Sequence, residues 1–233
     1  MGNTIISSKV TADKDRDLQV VPRVQEVRLV AFLDIMGFKD MVARHFYTIE
    51  DKLTKLSKFI SRTIMEADGY QYMIFSDSII IYASANKPDV FPALLQKVGK
   101  IVSKSIELGL PIKGAIAKGE CTVCMDAKPF FFGQPIIDAY TLEENVVLYG
   151  VVLHNTVESL VGASHVEGAL VFDYKVPLKG GASKHYVLNW FADDMEANVK
   201  NLNSIRKTVS DSPRRYIDNT EDSIEYYVKK YES

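Results

Sequence analysis

Val30-Ala31-Phe32-Leu33-Asp34-Ile35-Met36-Gly37-Phe38 is the stretch whose reading decides the fold. A short, continuous apolar run marks a strand buried on both faces. The run ends in a carboxylate, so Asp34 falls where that strand emerges at the edge of a sheet. Gly37 lets the backbone pass close to a ligand. The free amides at the start of the next helix suit an anion. A carboxylate beside an anion site is repulsive unless a cation lies between them. Divalent metal plus phosphate is the economical reading; a helix-capping aspartate is its plain competitor.

One carboxylate holds a metal poorly, so a second should converge on it. Tyr72-Met73-Ile74-Phe75-Ser76-Asp77-Ser78-Ile79-Ile80-Ile81-Tyr82 supplies the candidate. Two β-type runs meet at Ser-Asp-Ser, the pattern of a hairpin with its acid at the turn. Strand, helix and hairpin in succession bring Asp34 and Asp77 onto adjacent strand ends. The alternative is a turn aspartate without function. Mg²⁺ or Mn²⁺ is favoured, because hard cations take carboxylates, backbone carbonyls and substrate phosphates.

The 233 residues are 47% hydrophobic and 25% charged, enough for one sizeable core with appendages. A net charge of -2 leaves no electrostatic footprint for nucleic acid. No apolar run approaches the roughly twenty residues that cross a bilayer, and no signal peptide precedes the core. Ile6 stands where a myristoylation motif needs Ser or Thr. A cytoplasmic protein is expected. Cys121 and Cys124 lie in an extended stretch, where residues three apart face opposite ways, so buried structural thiols are expected rather than a zinc site. His45, His154, His165 and His185 have no metal spacing.

In order, residues 1–26 read as a flexible arm, 27–191 as the folded domain and 192–233 as a charged helical tail. The first strand is expected over 27–34, then a helical region from Phe38 to about Ala67, broken near 45–48. After the hairpin come a helix over 88–108 and a strand over 112–120. Phe130 to Ile137 leads into a helix ending near Glu144. A strand over 146–153, a short helix over 155–161 and strands near 169–172 and 185–190 follow. The order strand, helix, strand, strand, helix, strand is a ferredoxin-like βαββαβ core, an α+β fold with extra C-terminal strands and helices.

This series resembles the class III nucleotide cyclase catalytic domain. Asp34-Ile35-Met36-Gly37-Phe38 looks like its first metal-aspartate motif, and Asp77 falls 43 positions later at the second. Lys113-Gly114-Ala115-Ile116-Ala117-Lys118-Gly119 is similar to its central strand, and Gly133 through Leu142 to its glycine-led helix. Leu178-Lys179-Gly180 is similar to the loop whose lysine reaches the triphosphate. The resemblance implies a homodimer with composite sites and two divalent ions, Mn²⁺ or Mg²⁺, at each. Asp34, Asp77 and the Ile35 carbonyl would hold the ions, and Lys179 would pair with the β/γ-phosphates. The backbone of Met36, Gly37 and Phe38 would hold phosphate, with Arg44 a candidate for the missing arginine.

Met73 and Phe130 occupy the positions that select a purine, and neither can hydrogen-bond a base edge. Ile137 and Thr141 stand at the transition-state asparagine and arginine positions. Among compact cyclases lacking the purine pair, the resemblance is strongest to bacterial Pycsar pyrimidine cyclases. It implies conversion of UTP, or less often CTP, to a cyclic nucleotide that acts on a downstream effector in antiphage defence. Phe32, on the strand face of Asp34, could wall the base, with Tyr47 a weaker candidate. Competing readings are a purine cyclase with an atypical base pocket, a nucleotide sensor without turnover and a polymerase-type palm.

Overall fold

The computed structural model describes residues 24–65, 69–124, 130–209 and 212–232. Strand β1 (Val24–Ile35) runs through the middle of the sheet, between β3 (Ser78–Ser84) and β4 (Ile112–Cys124), antiparallel to both. Its Leu29–Leu33 segment is apolar at every position because both faces are covered. Leu29, Ala31, Leu33 and Ile35 face α1 (Phe38–Met65) and α2 (Val90–Glu107), where the main core lies. On the opposite face Phe32 packs with Ala115, Ala117 and Ala139, the last on α3 (Gln134–Asn145).

The sheet has eight strands. With β2 (Tyr70–Phe75), β5 (Phe130–Gly133), β6 (Gly150–Leu153), β7 (Val171–Leu178) and β8 (Gly181–Leu188), its order is β2-β3-β1-β4-β6-β8-β7, and β5 adds to β4. The β2-β3-β1-β4 portion, with α1 and α2 on one face, is the βαββαβ core expected from the sequence. Parallel pairing of β6 with β4 extends it, and α4 (Asn155–Ala163) follows β6.

The break in α1 is present: His45 leaves helical geometry at φ -143°, ψ 45°. Strand β1 starts at Val24, three residues ahead of the expected start, because Val24–Val27 pair with the far end of β4. The expected arm over 1–26 otherwise lies outside the described residues. The expected strand over 146–153 is regular only from Gly150, with Val146 making a single bridge to Leu178. The two short strands foreseen near 169–172 and 185–190 form one long hairpin instead, turning at Lys179-Gly180. Cys121 is buried, as expected of a structural thiol.

The C-terminal segment is helical and packed. In α5 (Met195–Arg206) and α6 (Ser212–Tyr231), Leu202, Ile205, Ile217, Ile224 and Tyr227 join the main core. Thr220 accepts a hydrogen bond from the Tyr149 amide at 2.8 Å, and the Tyr227 hydroxyl donates to the Gly168 carbonyl at 2.9 Å. Among the described residues, no helix is long and apolar enough to cross a membrane.

Candidate active site

Paired residues on antiparallel strands project to the same side of a sheet, so register builds the site row by row. Asp34 pairs with Ser78 on one side and Lys113 on the other, and Ser78 pairs with Phe75. The next row is Met73, Ile80, Phe32 and Ala115. Asp77 occupies the β2–β3 turn, where the Ile35 amide donates to its carbonyl at 3.0 Å. That bond ties the residue after the first acid to the second acid. Ser76, just ahead of Asp77, holds φ +57°, which lets the turn close in two residues.

The Asp34 carboxyl is pushed up from 3.8 to about 6. Burial is the largest cause, followed by the negative charges of Glu143 and Asp77; Lys113 and the Ser78 hydroxyl pull the other way. Acids held together with too little countercharge make an environment that favours a cation. Among the described residues no three His, Cys, Asp or Glu side chains are grouped to hold a metal. A divalent ion here would rest on two carboxylates, the Ile35 carbonyl and substrate phosphates. That donor set suits Mg²⁺ or Mn²⁺, which commonly use one or two carboxylates plus phosphate.

Lys113 and Glu143 form a feature that sequence reasoning missed. Their charged groups lie 2.9 Å apart with side chains 7% and 3% exposed, and Lys113 also donates to the Glu143 backbone carbonyl at 2.9 Å. The pair joins β4 to the end of α3 directly beside Asp34. Burial pushes the Glu143 carboxyl up, against the pull of Lys113. The available signal was alternation: Lys113 shares its β4 face with Ala115 and Ala117. Tyr140 was also missed. It is 44% exposed on α3 and stands edge-on to Phe32, ring centres 5.5 Å apart.

The remaining sequence candidates divide. Gly37 turns the chain from β1 into α1 at φ +73°, with open space where a Cβ would stand, so conformation rather than crowding calls for glycine. The Met36 amide is taken by the Pro111 carbonyl at 2.8 Å, which leaves Gly37 and Phe38 as the backbone donors at this corner. The Met36 and Phe38 side chains pack against the main core. Phe32 is 9% exposed beneath α3, so Tyr140 presents the accessible ring in its place. Met73 is half-buried against Ile80 and the Val30–Tyr82 cluster, one row behind Asp34.

Lys179 tops the β7–β8 turn, where its amide donates to the Asn145 carbonyl at 2.8 Å and its charge acts on Glu143. Arg44 is exposed just ahead of the α1 kink and pairs with no acid among the described residues. Phe130 is not brought to Asp34 within one chain. It pairs with Cys124, whereas Asp34 pairs with Lys113, eleven positions away along β4. At 3.3 Å per residue that is about 36 Å. Phe131, stacked on Tyr82 at 4.4 Å, is the β5 aromatic that packs on the sheet cluster.

Sequence comparison finds no matching family model and no matching curated protein. Structural comparison finds cyclases. The adenylyl cyclase CyaB from P. aeruginosa superposes with a TM-score of 0.57 at 15% identity, over 72% of this chain and 97% of that one. The guanylate cyclase domain of RhGC from Catenaria anguillulae, in complex with GTP, gives 0.54 at 16% identity, over 71% and 98%. The non-canonical dimeric guanylyl cyclase domain of the RhoGC fusion protein from the aquatic fungus Blastocladiella emersonii gives 0.54 at 15%, over 72% and 97%. With its two acids at the ends of neighbouring strands in an eight-stranded α+β sheet, this chain has the fold of the adenylyl and guanylyl cyclase catalytic domains.

Proposed function

We propose that this protein is a nucleotide cyclase that converts a pyrimidine nucleoside triphosphate, UTP ahead of CTP, to its 3′,5′-cyclic nucleotide and pyrophosphate. The observation that carries the reading is the convergence of Asp34 and Asp77 on one strand-end corner, with the Asp34 carboxyl raised to about 6. In the reaction the 3′-oxygen bonds to the α-phosphorus and the bond to the β-phosphate's bridging oxygen breaks. Pyrophosphate leaves, and the hydroxyl proton passes to solvent. Bound divalent ions would neutralise the triphosphate and ease loss of that proton. Asp34, Asp77 and the Ile35 carbonyl would hold them. The Gly37 and Phe38 amides hold phosphate oxygens at the positive end of α1. Lys179 offers a compact charge to the β/γ-phosphates.

The apolar Met73 and Phe130 support a pyrimidine, because neither offers a donor or acceptor to a purine edge. The separation of Phe130 from Asp34 supports a head-to-tail homodimer, since only a second copy could bring that ring to the base. Exposed Phe132, Ile137 and Tyr140 supply apolar surface for such an interface. The cyclic product would serve as a messenger to a cyclic-nucleotide-responsive effector, in keeping with the likeness to bacterial antiphage pyrimidine cyclases. A sensor without turnover is favoured by one observation: Ile137 and Thr141, at the transition-state positions, are exposed and carry no charge.

Incubation with Mn²⁺ and each of the four nucleoside triphosphates, with products separated chromatographically, tests both readings. Cyclic UMP or cyclic CMP is expected. Cyclic AMP or GMP alone would overturn the base choice, and binding without any cyclic product would favour the sensor.

A further inference from the structure

A cavity of about 370 Å³ opens behind the candidate active site, between α1 and the ends of β1, β2 and β3. Leu53 and Ile74 give it accessible apolar walls over the buried Ile35, Leu56, Ile60 and Ile79, and Lys58 and Ser76 also line it. Its volume lies in the range of small-molecule sites, roughly 300–1,000 Å³, which are mostly apolar with a few polar groups that orient the ligand. It is separate from the nucleotide corner. Successive residues of a strand face opposite ways, so Ile35 turns to this cavity where Asp34 turns to the other face. Charge indicates the occupant. One turn earlier on α1, Lys55 pairs with Asp51 at 2.6 Å, whereas Lys58 pairs with no acid among the described residues.

We propose that this cavity binds a small amphipathic monoanion, its apolar body against Leu53 and Ile74 and its acid group on the Lys58 ammonium. Such a ligand would touch Ser76, the residue before Asp77, and lie over Ile35, the residue after Asp34. The Ile35 amide already joins those two segments through the Asp77 carbonyl. The site therefore lies where occupancy braces both acids from behind.

Calorimetric titration of the full chain with decanoate, and separately with decan-1-ol, tests the proposal. Saturable decanoate binding is expected, with the alcohol about fivefold weaker, the upper scale of one exposed ion pair. Lys58→Glu should remove that advantage while leaving decan-1-ol binding unchanged, and Lys58→Arg should retain it. Lys58 is exposed, so neither substitution threatens the fold. No saturable decanoate binding, or equal affinity for acid and alcohol, would overturn the proposal. Nucleotide turnover plays no part in the readout: an inactive chain that binds decanoate through Lys58 upholds the site, and an active one that does not refutes it.

Discussion

Replacing Asp34 by asparagine should make the metal-free protein more stable while removing the proposed cyclase activity. The folded chain holds the Asp34 proton up to about pH 6, whereas the unfolded chain releases it near 3.8. A raised carboxyl means that folding takes up a proton within this window. Stability therefore falls as pH rises from about 3.8 to about 6, and the cost is complete above that. Roughly two pKa units correspond to about 3 kcal/mol. Asp34 is only partly buried, and solvent screening reduces the figure to about 1–2 kcal/mol. The substituted carboxamide has nearly the same shape and no charge to desolvate or repel. In a chain of this size 1 kcal/mol moves the melting temperature by about 2–4 °C, so D34N should melt about 2–8 °C higher near pH 8 in EDTA. Near pH 4 the two proteins should melt together. Excess Mn²⁺ should raise the wild type and leave the variant unmoved. A variant that melts lower than wild type near pH 8 would refute the reasoning, by showing that the Asp34 carboxylate stabilises the fold.

Lys113→Met should destabilise by about 3–5 kcal/mol in urea unfolding, because it strands the buried Glu143 carboxylate; Lys113→Met with Glu143→Leu should recover most of that loss. Equal losses for single and double variants would mean that packing, not charge, matters there. Gly114→Ala should cost about 1–3 kcal/mol, since its Cβ would come 2.5 Å from the Leu33 side chain and 2.6 Å from the Phe32 carbonyl. Unchanged unfolding would show that β1 and β4 have room to separate. With composite sites as proposed, cyclase activity per protein should fall as the protein is diluted and sedimentation at the same concentrations shows dimers giving way to monomers. Constant turnover by a monomer would exclude composite sites.

The central elements were legible because their causes are local. An apolar run ending at Asp34, a Ser-Asp-Ser turn between β-type runs and a long amphipathic pattern after Phe38 each carry their own signature. The break at His45 was also visible. The hairpin of β7 and β8 was read too short, since Tyr174-Lys175 and Lys184-His185 carry polar side chains toward an edge where burial no longer marks a strand. Residues 192–233 read as a charged tail because α6 has only a narrow apolar stripe. That stripe closes the core over β7 and Tyr149.

Sequence by itself determined the strand, helix and hairpin order, and with it the two acids at one end of a βαββαβ sheet. Those features depend on side-chain periodicity and turn chemistry within a few residues of each other. Tertiary structure decided what surrounds the acids. Glu143 reaches Asp34 only because α3 lies across β1 and β4, and it meets Lys113 there across 30 positions of chain. Phe130 was read as a base-selecting position, and pairing in register along β4 sets it about 36 Å from Asp34 of the same chain. Contacts of that kind are set by how layers stack and strands align, and no single segment of sequence carries that information.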